Sequence, residues 1–94
     1  MTLKIGSQVQ AANLIRKVDP VYPNDAKTAG IDGNVVLKIV VAEDGHVESA
    51  EPIEGHPLLA AAAVEAVLQW KYKPTLLNRN PVRVSSTVTV PFQK

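Results

Sequence analysis

The run Asn34-Val35-Val36-Leu37-Lys38-Ile39-Val40-Val41-Ala42-Glu43-Asp44-Gly45-His46-Val47 carries the clearest structural instruction in this sequence. Val35, Leu37, Ile39 and Val41 recur at every second position, the period at which the side chains of an extended strand return to one face. Glu43-Asp44-Gly45 closes the run. An Asp-Gly pair between two extended segments predicts a hairpin, because a tight turn needs positive φ and these residues supply it at least cost. Val47 resumes the apolar face, yet the next small apolar position is Ala50, with Ser49 where the period asks for an apolar residue. A bulge near Glu48-Ser49 restores the phase.

Downstream of Gly55, Pro57 suits the first turn of a helix, and Leu59, Ala63, Ala66, Val67 and Trp70 fall within about 100° of one another on a helical wheel. The spacing predicts a helix from there to about Tyr72, stopped by Pro74, with Trp70 as a core anchor and Tyr72 as a partly exposed lid. Four successive alanines from Ala60 predict close packing of that helix on a sheet. From Val82 to Phe92, Val82, Val84, Ser86, Val88, Val90 and Phe92 alternate with Arg83, Ser85, Thr87, Thr89 and Pro91, a half-buried strand with a hydroxyl-rich outer face.

Upstream, Leu14 to Val18 reads as a strand closed by Asp19-Pro20, and Asn24 to Ala29 as a short helix stopped at Gly30. Thr2 to Ile5 is a further short extended piece or a frayed arm. The fold class is therefore α+β: a three-stranded antiparallel sheet, open to extension by an N-terminal strand, with one long helix across a face and a short N-terminal helix. Residues 1–13 form an arm and 14–94 the domain. Helix-mediated return of the chain puts the last strand beside the Val35 to Val41 strand, in the order second, first, third. The last strand then lies at an edge unless the N-terminal piece or another molecule covers it.

The chain has 94 residues, 46% hydrophobic and 20% charged, with a net charge of +1. That length supports one core and not two, since halves of about 47 residues would bury too little apolar surface. The composition is too apolar for a disordered tail and too balanced for an electrostatic nucleic-acid binder. With no cysteine there is no disulfide, thiolate metal site or cysteine nucleophile. The longest apolar stretch, Leu58 to Leu68, is interrupted by Glu65 and falls short of the roughly 20 residues that span a bilayer. Met1 to Gln10 has no apolar run of signal-peptide length, so a protein working outside the cytoplasm would be represented here by a fragment.

Chemistry-bearing residues are few. His46 follows the hairpin turn and His56 precedes the helix, where its ring can satisfy free N–H groups; neither has a second imidazole at metal-ligand spacing. Ser85-Ser86-Thr87 lies in a regular strand without a nucleophile elbow, and the scattered glycines form no phosphate loop. These patterns predict a non-enzyme with no cofactor and no metal.

Taken in order, Pro20-x-Tyr22-Pro23, Ala26, Ala29-Gly30-Ile31-x-Gly33, the Asp44-Gly45 hairpin, Gly55-x-Pro57-Leu58, Trp70-Lys71-Tyr72-x-Pro74, Asn78 and Pro81-Val82 resemble the C-terminal domain of TonB-family energy transducers. The similarity covers roughly residues 14 to 92. It implies a periplasmic domain whose parent is anchored in the inner membrane, spans the periplasm on a proline-rich spacer and is driven by a proton-powered motor complex through its N-terminal region. The implied partner is the box peptide of outer-membrane receptors, which adds a strand to the sheet. Asp19 stands where some members carry Gln before the first proline of the Tyr-Pro motif.

The residues support strand addition independently, because an edge strand with free backbone groups is a template for another chain. The expected partner-binding residues are Arg83, Ser85, Thr87 and Thr89 on the last strand, with Asp19, Pro20, Val21 and Tyr22 beside them. Val84→Pro distinguishes two orientations: it weakens binding if that N–H faces the peptide, and unfolds the domain if it faces the neighbouring strand. The same edge admits a homodimer by strand exchange. The alternative function is a self-associating assembly module of the cell envelope without force transduction.

Overall fold

A computed structural model describes residues 2–92. In chain order the elements are β1 (Thr2–Lys4), α1 (Ser7–Ala11), β2 (Leu14–Arg16), α2 (Asn24–Ala29), β3 (Gly33–Val41), β4 (Val47–Glu54), α3 (Pro57–Val67), β5 (Lys71–Tyr72), β6 (Thr75–Leu77) and β7 (Asn80–Phe92). The main sheet runs β1-β7-β3-β4, with β6 also paired to β7. The order β4-β3-β7 is the one that the return of the chain through the long helix predicts. The three-stranded antiparallel sheet is corrected: there are five strands and the sheet is mixed, because β1 joins β7 in parallel. A separate two-stranded ribbon pairs β2 with β5.

The core forms where the period-2 faces of β3 and β7 meet the helix. Val35, Leu37, Ile39 and Val41 are buried on β3, as are Val84, Val90 and Phe92 on β7. Leu59, Ala63, Ala66 and Val67 close over them from α3. Each fully buried aliphatic side chain of this kind contributes about 1.5–3 kcal/mol relative to exposure, so this double row is the main stabilising term. The predicted bulge is present. Val40 pairs with Ser49 and Val41 with Val47, leaving Glu48 as the extra residue, and a second shift leaves Ile53 unpaired in the same way.

The long helix ends earlier than its wheel suggests. It starts as read, with Pro57 in the first turn and His56 Nδ1 accepting the Leu58 N–H at 3.1 Å, but it stops at Val67 rather than Tyr72. Two i→i−3 bonds, Gln69 N–H to Ala66 O and Trp70 N–H to Val67 O, tighten the last turn. Lys71 and Tyr72 then extend to pair with β2, and the Tyr72 N–H bonds Gly45 O at 2.9 Å. Pairing with residues distant in sequence overrides local helix propensity here. Tyr72 is consequently 1% exposed, not a lid. Burial pushes its hydroxyl pKa up to about 12.

Two further pieces escape the sequence reading, and a third, Thr2 to Ile5, is decided between its two alternatives. α1 is an additional helical turn upstream of the predicted short helix, which is α2. Asn78 (φ 52) and Arg79 (φ 71) form a two-residue turn with both central residues left-handed, joining β6 to the start of β7. The Thr2–Lys4 piece is a strand, and it lies against Arg83–Ser85.

Candidate partner-binding edge

A sheet of this order has two outer edges, and they differ in what they offer. β4 carries Pro52, two bulges and three glutamates, Glu48, Glu51 and Glu54. Each of those devices obstructs a further strand. β7 has no bulge in its pairing with β3 from Gly33↔Phe92 to Val41↔Val84. Its outer side is strand-paired at one end only: β1 pairs with Arg83, Val84 and Ser85, the Ile5 N–H donates to Ser85 O at 2.9 Å, and α1 then packs against β7 with Gln8 beside the cleft that Thr87 and Thr89 line.

That last bond sets the orientation of the whole strand. Backbone groups of successive residues point to opposite sides, so if Ser85 faces outward, Arg83, Thr87, Thr89 and Pro91 do as well. Val84, Ser86, Val88 and Val90 face β3. The Val84 N–H is thus on the neighbouring-strand side, and Val84→Pro is the unfolding variant of the two alternatives. Beyond β1, the outward groups are the N–H and C=O of Thr87, those of Thr89, and the C=O of Pro91.

The open stretch borders a cleft of about 330 Å³ whose walls include Leu14, Lys17, Trp70, Tyr72, Thr87 and Thr89. Trp70 is 6% exposed and its indole N–H donates to Val18 O at 2.8 Å, which fastens the end of the β2 segment to the cleft. Lys17 Nζ lies 5.9 Å from the Trp70 ring centroid. An added strand would therefore lie between a backbone ladder and an aromatic wall with a cationic rim.

The expected site residues divide between three places. Thr87 and Thr89 are exposed on the open edge. Arg83 and Ser85 lie opposite β1, and Arg83 makes a two-pronged ion pair with Glu48 at 2.8 and 2.9 Å across the outer sheet face. Asp19 and Val21 line a second groove, of about 420 Å³, against Pro57, Leu58 and Ala61 of α3. Val21 is 82% exposed there. Pro20 is half-buried between them. Tyr22 points into the fold: its hydroxyl donates to Ile31 O, and its ring packs edge-on to Phe92 with centroids 5.6 Å apart. Its hydroxyl pKa is raised, by desolvation first and by Asp32 second. Through Phe92 and Trp70 the Tyr-Pro segment is held next to β7, although its exposed side chains face the other groove.

The family model described as Gram-negative bacterial TonB protein C-terminal matches residues 18–93. This chain belongs to that family. Among curated proteins, the TonB protein of Vibrio cholerae is 30% identical over 79 residues, covering 82% of this chain and 32% of the relative. The TonB protein of Pseudomonas aeruginosa is 27% identical over 62 residues, covering 64% of this chain and 18% of the relative. The chain thus spans a third or less of these relatives. The solution structure of the Pseudomonas aeruginosa TonB C-terminal domain superposes with a TM-score of 0.71 at 24% identity, covering 86% of this chain and 84% of the other. The TonB C-terminal fold is shared.

Outside the edge, both histidines have local roles. The Asp44 carboxylate accepts the His46 backbone N–H at 3.1 Å and lies 2.5 Å from His46 Nδ1. These bonds, the backbone one first, hold the Asp44 carboxyl below its ordinary pKa. Among the described residues no group of three His, Cys, Asp or Glu is placed to hold a metal. No described helix is long and apolar enough to cross a membrane. Replacing both histidines with Gln should lower stability by no more than about 1 kcal/mol, the scale of one cap and one exposed pair, and leave peptide binding unchanged. Urea unfolding and a binding titration read the two halves of that expectation; loss of binding in a folded double variant would reassign the histidines to the site.

Proposed function

We propose that this domain is the receptor-coupling end of a TonB-like energy transducer. It accepts the box peptide of an outer-membrane receptor as an added strand on the open edge of β7. In this reading the domain works in the periplasm, the parent protein is anchored in the inner membrane, and a proton-driven motor complex acts through the region upstream of the domain. Residues 14–94 are the coupling domain and 1–13 an arm. The observation that carries the reading is the asymmetry of the two edges: β4 is obstructed, while β7 exposes five outward backbone groups beside the Trp70 cleft.

Five backbone bonds at about 0.5–1.5 kcal/mol each, reduced by the entropy of ordering a flexible peptide, correspond to weak or micromolar affinity. Recognition led by backbone groups also lets one domain serve receptors of different sequence. Thr89→Pro tests the reading directly, since it removes an outward N–H without touching the β3 pairing. The expected result is a loss of about tenfold in affinity for a receptor box peptide, with the unfolding midpoint nearly unchanged. In the unaltered chain the peptide should shift the amides of Thr87 and Thr89 and the indole N–H of Trp70. Shifts confined to Val47 to Ile53 would place the partner on the other edge and refute the proposal.

A further inference from the structure

The outer edge of β7 is continuous from Arg83 to Pro91, yet its first part is already taken. Thr2, Leu3 and Lys4 pair with Arg83, Val84 and Ser85 in parallel register, and the Ile5 N–H closes the ladder on Ser85 O. The next outward residue is Thr87, which is the first open position. A segment of the chain itself therefore sits where a strand running along the full edge would lie. We propose that β1 is a displaceable occupant of the partner-binding edge, released when a receptor peptide pairs along Arg83–Ser85 as well as Thr87–Pro91. The proposal rests on the strand-addition reading above.

Several features make β1 the removable piece. It is three residues long and pairs with β7 alone, so it is an edge strand with one ladder. Thr2 and Lys4 are exposed, and only Leu3 and Ile5 are half-buried, which leaves little apolar surface to hold it. The adjoining α1 segment is better fastened. The Lys73 N–H bonds Asn13 O at 2.8 Å and Leu14 pairs with Tyr72, although the amide of the buried Gln10 has no hydrogen-bond partner. Gly6 lies between the loose strand and the fastened turn, and a Cβ built on it meets nothing within 4 Å. The segment can peel back at Gly6 while α1 keeps its place. A third cleft, lined by Lys4, Ile5, Ile53, Ser85 and Thr87, opens on the outer sheet face beside the junction of occupied and open edge.

Displacement has two consequences for binding. Partner affinity is lowered by the cost of releasing β1, and the open Thr87–Pro91 stretch acts as the entry point from which pairing extends. An unoccupied full edge would also be a template for a second copy, and β1 suppresses that pairing.

The test uses the whole chain. A receptor box peptide is titrated into the intact protein while hydrogen exchange of the Ile5 amide is followed, and the titration is repeated with Leu3→Pro/Ile5→Pro, which removes N–H groups directed at β7. The expected result is loss of Ile5 protection at saturating peptide, with the variant binding about tenfold more tightly and its amide shifts extending to Arg83 and Ser85. Should the variant fail to fold, the Ile5 measurement on the intact protein decides alone. Ile5 staying protected while Thr87 and Thr89 shift would overturn this proposal and leave strand addition standing. No shifts along β7 in the intact protein would overturn both.

Discussion

Gly45→Ala should destabilise the domain by about 3–5 kcal/mol, a large part of the roughly 5–15 kcal/mol that a small domain possesses. Gly45 has φ +96, and a Cβ built there lies 2.0 Å from the Tyr72 carbonyl oxygen and 3.1 Å from its carbon. Both contacts are backbone, so no side-chain rotation relieves them. The hairpin tip and β5 would have to separate, and with them goes the bond from the Tyr72 N–H to Gly45 O. Gly33→Ala is the control: its φ is +128 but nothing lies within 4 Å, so only the backbone strain of an L side chain at positive φ applies, about 1–3 kcal/mol. Urea unfolding of both variants separates steric conflict from conformational strain. Equal losses would show that the tip of the hairpin moves away from Tyr72 freely.

Trp70→Ala should cost about 3–5 kcal/mol as well, by a different route. The ring is buried in the same cluster as Leu59, Val67 and Tyr72, and its N–H holds Val18 O, tying β2 and the Tyr-Pro segment to the sheet. Removing it empties a large volume and frees that tie together. Trp70→Phe should recover most of the packing and lose the bond, leaving a deficit of about 1–3 kcal/mol. Because Trp70 is the single tryptophan, unfolding must be followed by circular dichroism rather than intrinsic fluorescence. Trp70 also lines the cleft beside the open edge, which sharpens the test. A Trp70→Ala protein of normal stability that had lost only peptide binding would make the ring a ligand platform rather than a core anchor.

How much of the fold is legible in the sequence depends on how strongly each residue pattern outweighs its surroundings. The β3 and β7 alternations are long, nine and thirteen residues, and their faces are buried on one side, so register and order can be read. The bulge at Glu48 is legible because a phase error between Val47 and Ala50 admits one repair. Segments of two or three residues are not legible. Lys71-Tyr72 continues a helical pattern and becomes β5 only because β2 and Gly45 supply partners distant in sequence. Tyr72 is misread for the same reason, since exposure on a helix and burial on a strand are opposite outcomes for one position. Thr87 and Thr89 are marked by period and hydroxyl content. That Arg83 and Ser85 face β1 is hidden, because nothing in Thr2-Leu3-Lys4 specifies a parallel partner some eighty residues away. Asp19 and Val21 group with the edge by motif, whereas the backbone turns their exposed side chains toward α3.

The position of β7 in the sheet also dictates an order of events during synthesis. β7 lies between β3 and β1, yet it comes after every other described element in the chain. The β3-β4 hairpin is complete at Glu54, and a hairpin of this kind forms in about 1–10 μs. Some forty residues then separate Glu54 from Phe92, which at about 5–20 residues per second is a delay of roughly 2–8 s. Throughout that interval the side of β3 destined for β7 presents Val35, Leu37, Ile39 and Val41 with free ladder groups. The nascent chain therefore passes through a stage in which β3 is paired with β4 on one edge, unpaired on the other, and has only α3 to shield its apolar face.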